Sequence, residues 1–232
     1  MSLINYFKLA YMRKTSMVYT FIFMLYYVGV AGFLMLYRKM AVGGEILDGE
    51  ILFFELQDVI YLSFLLLPTV LFIFLISNPT DNLVFIFSFG NMRKYFSYKL
   101  IQIGTLALYV SLLSWVSGVL VLDSSWEYQL SFCIMIFLYS FQVLLLFLML
   151  RAFLKSDILS VLIIIFLSFL EDQLRVYTGT GYYFYKEWFR IGSSIDLISS
   201  FIHVLFLLGC ILITGALLYF QFINKRVMQH ES

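Results

Sequence analysis

Six apolar runs, broken by short polar stretches, limit what this chain can fold into. They cover about 17–37, 59–77, 100–122, 128–150, 158–170 and 197–223. A helix crosses the hydrocarbon of a bilayer with about 20 mostly apolar residues. Five of the runs approach or exceed that length. The fifth, 158–170, is short, so it either continues through Leu174 or thins the bilayer locally. Pro68 lies inside the second run, where it removes one backbone hydrogen bond and is expected to kink the helix. Apolar residues are 62% of the 232, charged residues 12%, and the mean hydropathy is +0.96. A soluble domain carries roughly a quarter charged residues, and so few charges cannot cover so much apolar surface. The fold class expected is all-α: a polytopic membrane protein of six transmembrane helices, forming one domain over residues 1–232.

Charge sets the expected orientation. With six spans both termini share a side. If that side is cytoplasmic, the inner segments hold Lys8, Arg13, Lys14, Arg93, Lys94, Lys99, Arg151, Lys155, Lys225 and Arg226, which is 10 of the 15 cations. Their acids are Asp81, Asp157 and Glu231 alone. An excess of Lys and Arg marks cytoplasmic loops, so both termini are expected inside. Residues 1–16 lack the short apolar core and small-residue cleavage site of a signal peptide. Leu3, Phe7, Ala10 and Tyr11 share one helical face among basic residues. That pattern fits an interfacial helix, and equally a basic flank of the first span.

The outer loops are a short acidic one, 38–58, a tight turn, 123–127, and an aromatic stretch, Glu171 to Asp196. Five acids in the first do not follow the calcium-loop spacing D-x-[DN]-x-[DN]-G. The last has seven aromatic residues around Gly179 and Gly181, a density typical of the headgroup level. It reads as a re-entrant segment sheltered by the bundle.

The inner stretch Asn78 to Lys99 is long enough to hold a helix of its own. Asp81 can cap a helix beginning at Asn82 and complement its dipole. Leu83, Val84, Phe85, Ile86, Phe87 and Phe89 are too apolar for an exposed loop, and require cover from lipid, bundle or partner. Gly90, Arg93, Lys94 and Lys99 follow.

Little in the sequence carries catalytic chemistry. No G-x-x-x-x-G-K-[ST] occurs, so ATP would not be bound through a P-loop in this chain. Cys133 and Cys210 lie in apolar runs without metal-ligand spacing, and a net charge of +1 gives no nucleic-acid footprint. Glu171-Asp172 with Arg175 departs from the glutamate-type intramembrane protease motif. Gly192-Ser193 with His203 departs from a serine-protease elbow. Gln102, Thr105, Ser111, Ser114, Gln142 and His203 are candidates to line a polar path, or to pack helices together. Gly209, Cys210, Thr214 and Gly215 add small residues to the sixth run. No charge pair is expected within the spans, and the path is expected to lack a fixed charge. An ion relay is therefore not expected.

The order of elements, with the Gly90, Arg93 and Lys99 pattern leading into the third run, resembles the six-helix permease subunits of bacterial ABC exporters. These form the type-2 permease family, which includes drug, polysaccharide, lantibiotic-immunity and peptide exporters. The resemblance covers the whole chain in architecture. It implies a coupling helix over Asp81 to Gly90, with Asp81, Asn82, Leu83, Phe85, Ile86, Phe89, Gly90 and Arg93 docking a separate ATPase. It also implies re-entrant helices over Glu171 to Asp196, and dimerisation with itself or a sister permease. It implies a bacterial plasma-membrane location and no cofactor in this chain, with ATP and magnesium held by two ATPase copies. The chain itself would not be an enzyme. The expected cargo is amphipathic or hydrophobic, with a bacteriocin-like peptide first and a lipophilic drug or lipid second. The rival classes are an intramembrane protease and a non-transporting scaffold or assembly subunit.

Overall fold

The computed structural model describes residues 5, 14–41, 65–77, 92–121, 126–178, 205 and 208–221. All of the described residues except Lys155 and Ser156 are helical. The elements are α1 (Lys14–Ala41), α2 (Leu67–Ser77), α3 (Met92–Val121), α4 (Trp126–Leu154), α5 (Asp157–Thr178) and α6 (Leu208–Gln221). Two stretches, Arg93–Val116 of α3 and Cys133–Leu154 of α4, are long and apolar enough to cross a membrane. At 1.5 Å per residue, α3 with 30 residues and α4 with 29 each exceed a hydrocarbon core of about 30 Å.

Several boundaries differ from the sequence reading. Helix α3 starts at Met92, not near 100, because nothing in Arg93 to Lys99 breaks a helix. Its basic residues are therefore helical rather than loop. The short fifth run continues to Thr178, giving 22 residues. Glu171 to Thr178 therefore extends α5 and does not begin a re-entrant turn. Pro68 directly follows a widened π turn at Leu65 and Leu66, the kind of local adjustment by which a helix accommodates the hydrogen bond that proline does not make. The N-terminal interfacial helix, apart from helical Asn5, and the acidic loop 42–58 lie outside the described residues, as do the inner segment 78–91 and the stretch 179–196.

The link between α4 and α5 is only Lys155 and Ser156. Lys155 has φ 55° and its N–H donates to the Arg151 carbonyl at 2.9 Å, closing α4 with a left-handed cap. Ser156 then caps α5, its hydroxyl accepting from the Leu159 N–H at 3.3 Å. The Arg151–Asp157 ion pair spans the turn. Asp157 also complements the positive end of α5.

Side-chain contacts fix helix directions. Tyr109 meets Met24 and Tyr27 meets Ser114, so α1 and α3 run parallel. The segment between them, including α2, must carry the chain back. Gly104 faces Phe141 on the antiparallel α4, which follows α3 after a four-residue link, 122–125. Thr214 reaches Gln142, and Tyr219 lies against Phe96. Helix α6 is therefore antiparallel to α3 and parallel to α4. Helix α2 touches α1, α3, α4 and α5 despite its 11 residues.

The middle of helix α4 is covered all round: no residue from Met135 to Leu150 is exposed, and Gln142, Val143, Leu144 and Leu145 are consecutive in the core. A helix that is apolar all round is a central one. In contrast, large apolar side chains stand exposed on the outer faces: Phe21, Leu25 and Phe33 on α1, Ile158, Leu162 and Phe166 on α5, and Leu212, Ile213 and Phe220 on α6. Thr69, Lys99, Gln102, Ser111, Ser114, Ser140, Gln142, Ser160 and Thr214 are buried. Among the described residues the outer faces are therefore apolar as well as the core, and the buried polar groups lie within a largely apolar interior.

Candidate functional site

The interior polar seam is built mainly on α3. Its buried positions are Tyr95, Phe96, Lys99, Gln102, Ile103, Leu106, Ala107, Val110, Ser111 and Ser114, which recur every three or four residues. That is the spacing of one helical face. Of the expected path residues, Gln102, Ser111 and Ser114 lie on it. Ser111 donates to the Leu108 carbonyl at 2.8 Å and Ser114 to that of Val110 at 2.8 Å. Because the Ser114 hydroxyl hydrogen is directed at the Val110 carbonyl, the Tyr27 hydroxyl is the donor to Ser114, and the contact joins α1 to α3.

Thr105 does not belong to the seam. It is exposed and donates to the Ile101 carbonyl of its own helix at 2.8 Å. Three residues separate it from Gln102, yet the buried face passes through Gln102 and Leu106 instead. Among the described residues, Gly209 and Gly215 do not mediate close helix packing either: a Cβ at each would meet nothing within 4 Å.

Gln142 lies on α4 and faces α6. Its Nε2 donates to Thr214 Oγ1 at 3.0 Å, and Thr214 donates to the Cys210 carbonyl at 2.8 Å. This relay saturates Thr214 but leaves the buried Gln142 Oε1 without a partner. The Ser140 hydroxyl, fully buried on the same helix, is also without one. A buried acceptor lacking a donor costs about 1–3 kcal/mol.

Lys99, read from the sequence as part of a basic inner segment, is buried in the bundle. It is 1% exposed, with its Nζ 5.6 Å from the centroid of the Tyr95 ring and 5.9 Å from that of Phe74 on α2. Phe74 in turn meets Phe147 of α4 edge to face at 5.8 Å. Ring faces attract a desolvated ammonium by about 2 kcal/mol each, which offsets part of a larger desolvation cost. The spacing offered a signal: Lys99 extends the Gln102 and Leu106 face back by one turn, and Tyr95 by another. Lys94 is exposed, with its Nζ 6.0 Å from the Tyr98 ring centroid. Tyr27 had no such signal, since Tyr26 beside it is 55% exposed and of the same type.

Of the expected docking set, Arg93 lies exposed in the first turn of α3, its carbonyl accepting from Ser97 at 3.0 Å. Asp81, Asn82, Leu83, Phe85, Ile86, Phe89 and Gly90 lie outside the described residues, as does His203. No group of three or more His, Cys, Asp or Glu able to hold a metal occurs among the described residues. Comparison with protein-family models, curated proteins and solved structures found no match.

Proposed function

We propose that this chain is the transmembrane subunit of an ATP-driven exporter of the bacterial plasma membrane, with six spans and both termini cytoplasmic. The observation that carries the reading is the apolar outer face of the bundle: Phe, Leu and Ile stand exposed on α1, α5 and α6, while Lys99, Gln102, Ser111, Ser114 and Gln142 are buried within a largely apolar core. A bundle in water buries its apolar groups, whereas in lipid the outer face is free to be apolar and polar groups gather inside. The alternating helix directions support a polytopic arrangement. The cation bias supports the orientation. In this reading 81–90 is a coupling helix docking a separate ATPase, which binds ATP and magnesium. The aromatic stretch from 179 onward is re-entrant, and a second permease completes the translocation unit. The cargo is amphipathic, with a peptide favoured because an interior of hydroxyls and amides offers partners to peptide groups.

Affinity purification of the tagged full chain from native membranes tests this. A nucleotide-binding protein should accompany it, and Phe85→Asp with Phe89→Asp should abolish that association while insertion stays normal. If no nucleotide-binding protein accompanies the unmodified chain, the exporter reading fails, and a protease or scaffold takes its place. If association survives the double substitution, the patch is not the dock.

A further inference from the structure

The link between α4 and α5 joins a cation to apolar surface at a fixed height. The apolar stretch Cys133–Leu154 has 22 residues. At 1.5 Å per residue that is about 33 Å, enough to fill a hydrocarbon core of about 30 Å. Lys155 is the first residue beyond it. Helix α5 begins at Asp157, and its Ile158 is already 75% exposed. On the α4 side Phe153 is 65% exposed. Large apolar groups therefore stand open to the surroundings close to Lys155 on both sides, and a link of two residues is too short to lift the lysine away from them. The charge at the link is not balanced locally. Asp157 pairs with Arg151, whereas Lys155 is exposed and its ammonium has no partner among the described residues. Its backbone is also left-handed, with φ 55°. Glycine is the usual residue at such a cap, and Gly or Asn takes the conformation with less strain. The position thus holds a cation where the backbone favours glycine, and an observed outlier of this kind is ground for a functional hypothesis.

We propose that the α4–α5 link is a binding site for an anionic phospholipid of the inner leaflet, with the Lys155 ammonium on the headgroup phosphate and the acyl chains along Phe153 and Ile158. The proposal rests on the membrane placement and orientation given above, and not on the ATPase. The stretch Cys133–Leu154 fills the hydrocarbon, so Lys155 stands at the level of the lipid phosphates. The left-handed cap fixes the point at which its side chain leaves the backbone. Apolar surface on both sides favours a lipid over a free phosphate, because acyl contact adds to the ion contact. Net negative charge favours an acidic headgroup over a zwitterionic one. A zwitterionic lipid offers the same phosphate, but its own cation competes with Lys155 for it.

The test uses the full chain with Trp115→Phe, Trp126→Phe and Trp188→Phe and one reporter, Phe153→Trp, reconstituted in bilayers of phosphatidylcholine and phosphatidylglycerol. The probe is quenching of the reporter by brominated acyl chains carried on one lipid or on the other, which gives the relative occupancy of the two beside the link. Phosphatidylglycerol should be preferred about fivefold, the factor for one lysine at an anionic membrane surface. Lys155→Asn and Lys155→Gly both accept the left-handed backbone and should bring the preference close to one, while Lys155→Arg should keep it. Inorganic phosphate should displace the lipid no better than chloride at equal ionic strength. A preference that survives in Lys155→Asn or in Lys155→Gly overturns the proposal. So does equal quenching by the two lipids in the background protein, and so does specific displacement by inorganic phosphate, which marks a site for a soluble anion. All three leave the membrane placement standing. A reporter quenched by neither lipid puts the link away from the bilayer, and overturns that placement and the proposal with it.

Discussion

The Gln142–Thr214 contact leads to a prediction whose sign depends on which partner is changed. Gln142 gives one hydrogen bond to Thr214 at 3.0 Å, while its Oε1 is buried and unpartnered. Thr214 keeps its own bond to the Cys210 carbonyl at 2.8 Å. Gln142→Leu removes the interhelical bond, worth about 0.6 to 1.7 kcal/mol between membrane helices. It also removes the orphan acceptor, which costs about 1–3 kcal/mol where it stands. Leucine fills a similar volume, so no large cavity term enters. The expected result is neutral to stabilised, by up to about 2 kcal/mol. Thr214→Val removes the acceptor and leaves both ends of the Gln142 amide buried without partners, so a loss of about 1–3 kcal/mol is expected. The double variant should behave like Gln142→Leu, because valine then faces leucine and no polar group is stranded. Equilibrium unfolding of the full chain in mixed micelles with increasing dodecyl sulfate, followed by tryptophan fluorescence, measures all four proteins. If Gln142→Leu is destabilised as much as Thr214→Val, Oε1 is satisfied in the folded protein, most simply by an ordered water, and the reasoning is refuted.

Other positions give sharper local tests. Gly104→Ala should leave the α3–α4 contact intact and raise the thermal midpoint. The new Cβ would stand an ordinary 3.6 Å from Phe141 Cε2, and alanine is about 1 kcal/mol better in a helix. Thr105→Val should change unfolding free energy by no more than about 0.5 kcal/mol, since Thr105 is exposed and bonded to its own helix. Lys155→Gly should stabilise by up to about 1 kcal/mol, by relieving the positive φ of 55°. Ser156→Ala should cost about 1 kcal/mol through loss of the α5 cap. Chemical unfolding of each variant measures these differences.

The sequence by itself determined that the chain is helical and apolar, because long runs without breakers leave a backbone no other way to satisfy its polar groups away from water. The break between the fourth and fifth runs was legible in the sequence, but the two-residue turn with its Ser156 cap came from the structure. Gln102, Ser111, Ser114 and Gln142 could be named because a polar residue inside an apolar run stands out. Which face of each helix turns inward was decided by the tertiary structure. In a chain whose outer surface is as apolar as its core, composition does not distinguish lipid-facing from buried positions, so no amphipathic pattern marks the inner face. Tyr26 and Tyr27 are adjacent and alike, and only packing against α3 buries the second. Thr105 and Gln102 share a run, and only the packing of the bundle around α3 separates the exposed one from the buried one. Lys99 shows the difference most clearly. In the sequence it ends a basic stretch, where lysine is ordinary, and only its register with Gln102 hints at the inner face. In the folded chain α3 begins two turns earlier, and Phe74 and Tyr95 enclose its ammonium, because α2 and α4 close over that face.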